Sequence, residues 1–255
     1  MQTVIFTDTI FGPIHSRRLG TSLGVNLSPR DGKICSFDCL YCEAGFNAQG
    51  KGSSGMPSRE EVAKLLEQKL AQMKSNGENL DVITFSGNGE PTVNPDFPLI
   101  IDDTIALRDK YFPNVKVSVL TNSTTFGSQK TVDALKKVDN CIAKLDSAID
   151  STIQALDRPV SKDFSAGSLI PQLAQFGPQL IIQTMFTRND NIDNTTPAEI
   201  DALIEAYREI KPRQIMIYSL DRPTPDKSLR KVDREELLQI AQKINLATGI
   251  DVSVA

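Results

Sequence analysis

Cys35, Cys39 and Cys42 fall within one short stretch, Cys35-Ser36-Phe37-Asp38-Cys39-Leu40-Tyr41-Cys42, and no other part of the chain says as much about its chemistry. They supply three thiolates in one loop and stop there. An iron–sulfur cubane that only carries electrons normally takes four cysteines; three ligands leave one iron of a [4Fe–4S] cluster open to a molecule that reacts. A structural zinc site wants four ligands, usually in two separated pairs. Only Cys141 and the single histidine, His15, could add to the three. A disulfide framework fits no better, because the thiols are clustered and the chain is long with no signal peptide. A reducing, cytoplasmic compartment is the expectation.

A loop of this kind needs a rigid body to hold it. With 255 residues and 40% hydrophobic content the chain can bury a substantial core, and α/β barrels reach this size as one domain. The 28 basic and 32 acidic side chains leave a net charge of −4. That balance argues against a broad nucleic-acid-binding face, although Ser16-Arg17-Arg18-Leu19 could form a local basic patch. No stretch is long and apolar enough to cross a bilayer.

Short β-branched runs alternate with helical patterns, which predicts repeated βα units and a parallel sheet. Strands are expected at 23–27, 82–85, 115–120, 141–145, 180–185 and 215–218, with an edge strand at 250–254. Helices are expected to open at Pro57-Ser58 and to run over 97–110, 129–137, 167–176, 197–210 and 234–247. Ser58 followed by Glu61 reads as a capping box, and Val62, Leu65, Leu66 and Leu70 share one helix face. Six such units are too few for a closed eight-stranded barrel. They predict an α/β fold with an open, partial (β/α)6 barrel as a single domain, 1–255, the segment 1–22 packing on it and 233–255 adding a helix and an edge strand.

In such folds the reacting centre lies at the carboxyl ends of the strands. After the second strand comes Ser86-Gly87-Asn88-Gly89-Glu90-Pro91, a glycine turn that lets backbone approach a ligand closely; as a bare pattern it reads more often as a tight loop, and its place one βα unit after the cysteine loop favours a functional role. The third strand ends in Thr121-Asn122-Ser123. In the fourth, alternation puts Lys144 and Asp146 on one side and Leu145 on the other, and a buried charged pair needs a partner or ligand; a salt bridge at the barrel rim is the other reading. Met185 and Phe186 read as core. Tyr218 and Arg222, in a proline-stiffened segment after the sixth strand, are candidates for substrate contact. His15 reads as structural.

The C-x3-C-x2-C spacing with Tyr41 before the last cysteine resembles the signature of the radical S-adenosylmethionine (radical SAM) superfamily. That resemblance implies a [4Fe–4S] cluster on Cys35, Cys39 and Cys42, whose open iron chelates the amino and carboxylate groups of SAM. One electron then cleaves SAM to methionine and a 5′-deoxyadenosyl radical that abstracts hydrogen. Gly87-Asn88-Gly89-Glu90 resembles the family's GGE motif with asparagine in the first glycine position. By the same resemblance Tyr41, Gly87, Asn88, Gly89, Glu90, Asn122, Lys144 and Asp146 would surround SAM, and a flavodoxin or ferredoxin would donate the electron. Hydrogen abstraction requires no general base, so no catalytic acid or base is assigned.

The run Phe11-Gly12-Pro13 through Cys42-Glu43 and on to Pro91-Thr92 is similar to a prokaryotic radical SAM subgroup related to wyosine tRNA synthases. This implies an RNA base or related small molecule as substrate. Those synthases carry a second cluster, and Cys141 alone cannot hold one, so a single-cluster enzyme is expected. Two alternatives are an activating enzyme that generates a glycyl-type protein radical, whose usual Asn-Pro after the last cysteine is Glu43-Ala44 here, and a non-catalytic Fe–S electron carrier or redox sensor.

Overall fold

The computed structural model describes residues 4–16 and 19–255. The basic pair Arg17-Arg18 lies outside the described residues. In chain order the strands and helices are β1 (Ile10–Ser16), β2 (Gly20–Val25), α1 (Arg59–Ser75), β3 (Val82–Phe85), α2 (Phe97–Tyr111), β4 (Lys116–Thr121), α3 (Gln129–Leu135), β5 (Asn140–Lys144), α4 (Asp150–Leu156), α5 (Ala166–Phe176), β6 (Leu180–Arg188), α6 (Pro197–Ile210), β7 (Gln214–Ser219), β8 (Arg230–Lys231), α7 (Arg234–Thr248) and β9 (Val252–Val254). Strands β2 to β7 pair in sequence order and in parallel, with β9 extending the far edge beside β7. This is the open (β/α)6 arrangement expected from the sequence.

The N-terminal segment does more than pack on the barrel. Its residues 10–16 form β1, an antiparallel partner to β2 with an irregularity between Phe11 and Ile14 at Gly12-Pro13. The first parallel strand sits earlier than the hydrophobic run suggested. Asn26 ends it, because its side-chain oxygen accepts the Ser28 N–H at 3.1 Å and the Asn88 N–H at 3.1 Å, turning the chain away from the ladder.

Period-two alternation separates two environments. Leu23, Val25, Ile83, Phe85, Val117, Val119, Cys141, Ala143, Leu145, Ile182, Phe186, Ile215 and Ile217 face outward and join the main core beneath the helices. Ile142, Ile181 and Met216 form a separate apolar patch inside, together with Leu19 and Leu120. Each fully buried Leu, Ile or Phe in the outer layer contributes about 1.5–3 kcal/mol. Helix α1 presents Val62, Leu66, Leu70 and Met73 to it. Only half of the expected capping box forms: Ser58 Oγ accepts the Glu61 N–H at 3.3 Å, while the Glu61 carboxylate accepts from Thr9 Oγ1 at 3.3 Å. The N-terminal segment thus competes for Glu61.

Candidate functional site

The cysteine loop leaves the carboxyl end of β2 and is held by main-chain bonds on two sides. On one, the Ile34 N–H donates to Asn88 O at 3.2 Å and the Glu90 N–H donates to Ile34 O at 3.0 Å, forming a one-residue parallel bridge between Ile34 and Gly89. On the other, Asp38 N–H donates to Asp157 O at 3.0 Å, Leu40 N–H to Leu156 O at 3.0 Å and Val160 N–H to Ser36 O at 2.9 Å. The segment after α4 therefore acts as a strut for the loop. Inside the loop, Cys42 N–H donates to Cys39 O at 3.1 Å.

All three thiols are free; Cys39 is buried and Cys35 and Cys42 are half-buried. Burial, with Glu90 nearby, pushes the Cys35 thiol up to about 11, opposed by a hydrogen bond from the Phe37 backbone and by the Lys33 ammonium. Burial also holds Cys39 well above the usual thiol range, against the pull of Lys144. Lys33, with 1% of its side chain exposed, donates to Gly45 O at 2.7 Å and lies 3.7 Å from Asp38. Lys33, buried, and Lys144, partly buried, thus bring ammonium groups near thiols that would be thiolates in a cluster.

The Gly87–Glu90 turn is brought against this loop, but its parts play different roles. Gly89 is demanded by close approach: a Cβ there would stand 1.8 Å from Ile34 O. What comes so near is the cysteine loop itself. Asn88 is fully buried, and its amide joins distant segments: Oδ1 accepts the Phe6 N–H at 2.8 Å, and Nδ2 donates to Phe6 O at 2.8 Å and Pro29 O at 2.9 Å. Its side chain is turned to the N-terminal segment. Gly87 lies against Asn26, whose Oδ1 would be 2.5 Å from an added Cβ.

Glu90 is buried with both carboxylate oxygens engaged. Oε1 accepts from Thr92 N–H at 3.2 Å, Thr92 Oγ1 at 2.6 Å and Thr121 Oγ1 at 2.7 Å; Oε2 accepts the Asn122 N–H at 2.6 Å. Burial nevertheless pushes its carboxyl above the ordinary value. Glu90 therefore ties the glycine turn to the end of β4 and fixes Asn122, whose Nδ2 lies 3.5 Å from Cys35 Sγ.

β5 ends at Lys144, one residue before the expected end, and the alternation carries past it: Leu145 joins the outer core and Lys144 turns inward. Lys144 Nζ is 3.0 Å from Asp146 Oδ2, bonds Asp157, and lies 5.0 Å over the Phe37 ring and 5.5 Å over the Tyr41 ring. The Tyr41 hydroxyl donates to Asp146, whose other oxygen accepts Met185 N–H at 2.9 Å. Burial would lower Lys144, but Asp146 and Asp157 outweigh it and hold the ammonium well above its ordinary range. Burial lifts Asp157 to about 7, against Lys144. Tyr41 is likewise held well above the phenol range, by burial and then by Asp146. The charged pair thus has the rim salt bridge that was one of its two readings, and Tyr41 and Asp157 complete it.

Arg222 reaches the same loop, its Nη1 2.5 Å from Glu43 beside the last cysteine. Tyr218 packs with Tyr41 and Leu40 against Met185, Leu220 and Leu229. Phe186 is in the main core, as expected. Cys141 is buried on the outer, helix-facing side of β5, away from the cysteine loop. His15 is exposed on β1. Sequence reading did not single out Lys33, Ser36 or Asp157. Lys33 was open to notice as a lone cation just before Cys35; Asp157 precedes Arg158-Pro159, a stop whose partner cannot be read locally.

The donor set fits an iron–sulfur cubane. Three free thiols share one anchored loop, with Lys33 and Lys144 to offset negative charge. Among the described residues no three His, Cys, Asp or Glu side chains converge closely enough to chelate a single ion.

A sequence profile described as "Radical SAM superfamily" matches residues 31–168, from just before the cysteine loop to the first turn of α5. A UPF0026 protein of Helicobacter pylori (strain 26695) is 30% identical over 237 residues, covering 90% of this chain and 71% of that protein. A protein of Brachyspira hyodysenteriae named GTPase Obg is 27% identical over 97% of this chain, which spans only 35% of its length. Among solved structures, a radical SAM methyltransferase from Sphaerobacter thermophilus superposes with a TM-score of 0.68 at 19% identity, over 92% of this chain and 65% of that one. With that profile spanning more than half of its residues, the chain belongs to the radical SAM superfamily.

Proposed function

We propose that Cys35, Cys39 and Cys42 hold a [4Fe–4S] cluster whose open iron binds S-adenosylmethionine, and that the enzyme abstracts hydrogen from an RNA base or a related small molecule. The observation that carries this reading is a loop of three free cysteines, braced by main-chain bonds at the carboxyl ends of a parallel sheet. When bound, the cluster and SAM supply reductive cleavage to a 5′-deoxyadenosyl radical, and that hard chemistry is the cofactors' own.

The chain's residues position and insulate. Lys144, with 16% of its side chain exposed, presents the cation suited to a carboxylate of SAM, and Asp146 and Tyr41 fix its place. Gly89 lets the turn lie against the loop and Gly87 lets it lie against Asn26; Asn88 ties it to the N-terminal segment and Glu90 ties it to Thr121 and Asn122 at the end of β4. Inside the barrel, a cavity of about 100 Å³ is lined by Ser22, Thr84, Ser86 and Gln183 with Leu120, Ile142 and Met216. Neutral hydrogen-bonding groups beside apolar ones suit a flat heteroaromatic ring. Tyr218, packed with Leu40 and Tyr41, and Arg222, paired with Glu43, would contact the substrate. A flavodoxin or ferredoxin is the electron donor this chemistry calls for. Among the described residues no helix is long and apolar enough to cross a membrane.

The test is anaerobic reconstitution, reduction with dithionite and addition of SAM, followed by detection of 5′-deoxyadenosine. An intact, EPR-visible cluster that yields none would refute the radical reading and leave an electron carrier. Deuterium transfer into 5′-deoxyadenosine, from labelled RNA, small-molecule or protein fractions, then reads the substrate class; transfer from protein alone would indicate an activating enzyme instead.

A further inference from the structure

We infer that Asn122 is a positioning residue for the cluster, acting through Cys35: its side-chain amide donates a hydrogen bond to the Cys35 sulfur and so eases one-electron reduction. This rests on the proposed ligation by Cys35. The orientation of the amide is determined by its neighbours. Oδ1 accepts the Thr124 N–H at 3.1 Å and the Thr124 hydroxyl at 2.8 Å, so the amino group must occupy the opposite edge. There Nδ2 has two acceptors for its two hydrogens, Ser36 Oγ at 2.9 Å and Cys35 Sγ at 3.5 Å. The Asn122 backbone is pinned by its N–H to Glu90 Oε2 at 2.6 Å.

A merely structural asparagine would be served by Ser36 and Thr124. The remaining hydrogen points at sulfur, in a site where Asn122 is only 7% exposed and water competes little. The Phe37 backbone N–H gives Cys35 a second donor. Reduction places additional negative charge on the cluster sulfurs, and hydrogen bonds to those sulfurs are among the levers that set the potential. The motif glutamate thereby acquires a role at one remove: Glu90 fixes Asn122, and Asn122 serves Cys35.

The experiment is a redox titration of the reconstituted holoenzyme by EPR, comparing wild type with Asn122→Leu and Thr124→Val. The Leu substitution should lower the midpoint so that the reduced-to-oxidised ratio at a fixed donor potential falls about tenfold, equivalent to about 59 mV for one electron. Thr124→Val, which removes an anchor but no donor to sulfur, should leave the midpoint where it was. An unchanged midpoint in a cluster-replete Asn122→Leu protein overturns the inference. Should that variant fail to load, the wild type decides: with 15N in the asparagine side-chain amide, pulsed EPR of the reduced cluster should show a 15N coupling, and its absence overturns the inference. A wild type that assembles no cluster at all would instead defeat the ligation on which the inference stands.

Discussion

Ile34 and Gly89 are joined back to back: the carbonyl of Ile34 accepts the Glu90 N–H at 3.0 Å and occupies the space where a Cβ on Gly89 would lie, 1.8 Å away. The glycine of the turn and the approach to the first cysteine are thus one structural unit. Gly89→Ala must push that unit apart, because the obstructing atom is backbone. Its φ of +154° adds to the penalty. We expect iron content per chain after reconstitution to fall several-fold while far-UV circular dichroism is unchanged. Full iron loading in the alanine variant would refute the coupling.

Glu90 yields a prediction with a sign. Burial raises its carboxyl pKa in the folded chain. Its protonation therefore contributes stability that is fully present below the unfolded value of about 4.3 and is lost as pH rises through the raised folded pKa. In the apoprotein, the stability of wild type relative to Glu90→Gln should decline as pH climbs from about 4 toward neutrality. At neutral pH the glutamine should also cost about 2 kcal/mol, since its amino group must face donors. Urea unfolding across that range measures both, and a flat difference would contradict the assignment.

Lys144 lies between Asp146 and Asp157, both almost wholly buried. Replacing it by methionine leaves two carboxylates facing each other with no cation. A loss of about 3 kcal/mol or more is expected, the range seen when one partner of a buried ion pair is removed. Denaturant unfolding checks it; a loss below about 1 kcal/mol would mean that water already screens the site.

Cys141 provides the control for the cysteines. It faces the helix layer, on the other side of β5 from Lys144. Cys141→Ala should keep its iron and lose only about 1 kcal/mol, as small core truncations do, whereas alanine at Cys35, Cys39 or Cys42 should each abolish the cluster. Loss of iron in the Cys141 variant would place a fourth thiol in the site.

Much of this was legible in the residues because the determinants are local. Runs such as Val82-Ile83-Thr84-Phe85 announce buried parallel strands, and the cysteine spacing announces its chemistry. Strand β1 was not legible: Gly12-Pro13 breaks its ladder and Ile14 and His15 face solvent, so no alternation marks it. Helix α4 is only seven residues long and buries Ile153 and Leu156 alone, too little for a period to show. In the site, the tie between Asn88 and Phe6 was not legible because the two stand 82 positions apart. Asp157 was invisible for the same reason. Long-range pairing is what a single sequence conceals.

The two-sided character of β5 has an evolutionary corollary. Its one face seals the hydrophobic layer through Cys141 and Ala143 and its other turns Lys144 toward the cysteine loop, so an inserted or deleted residue within the strand would exchange grease for charge and damage stability and chemistry in one stroke. Length variation among relatives should therefore gather in the turns that feed the strands at their amino ends, such as 211–213 before β7, leaving the reactive rim untouched.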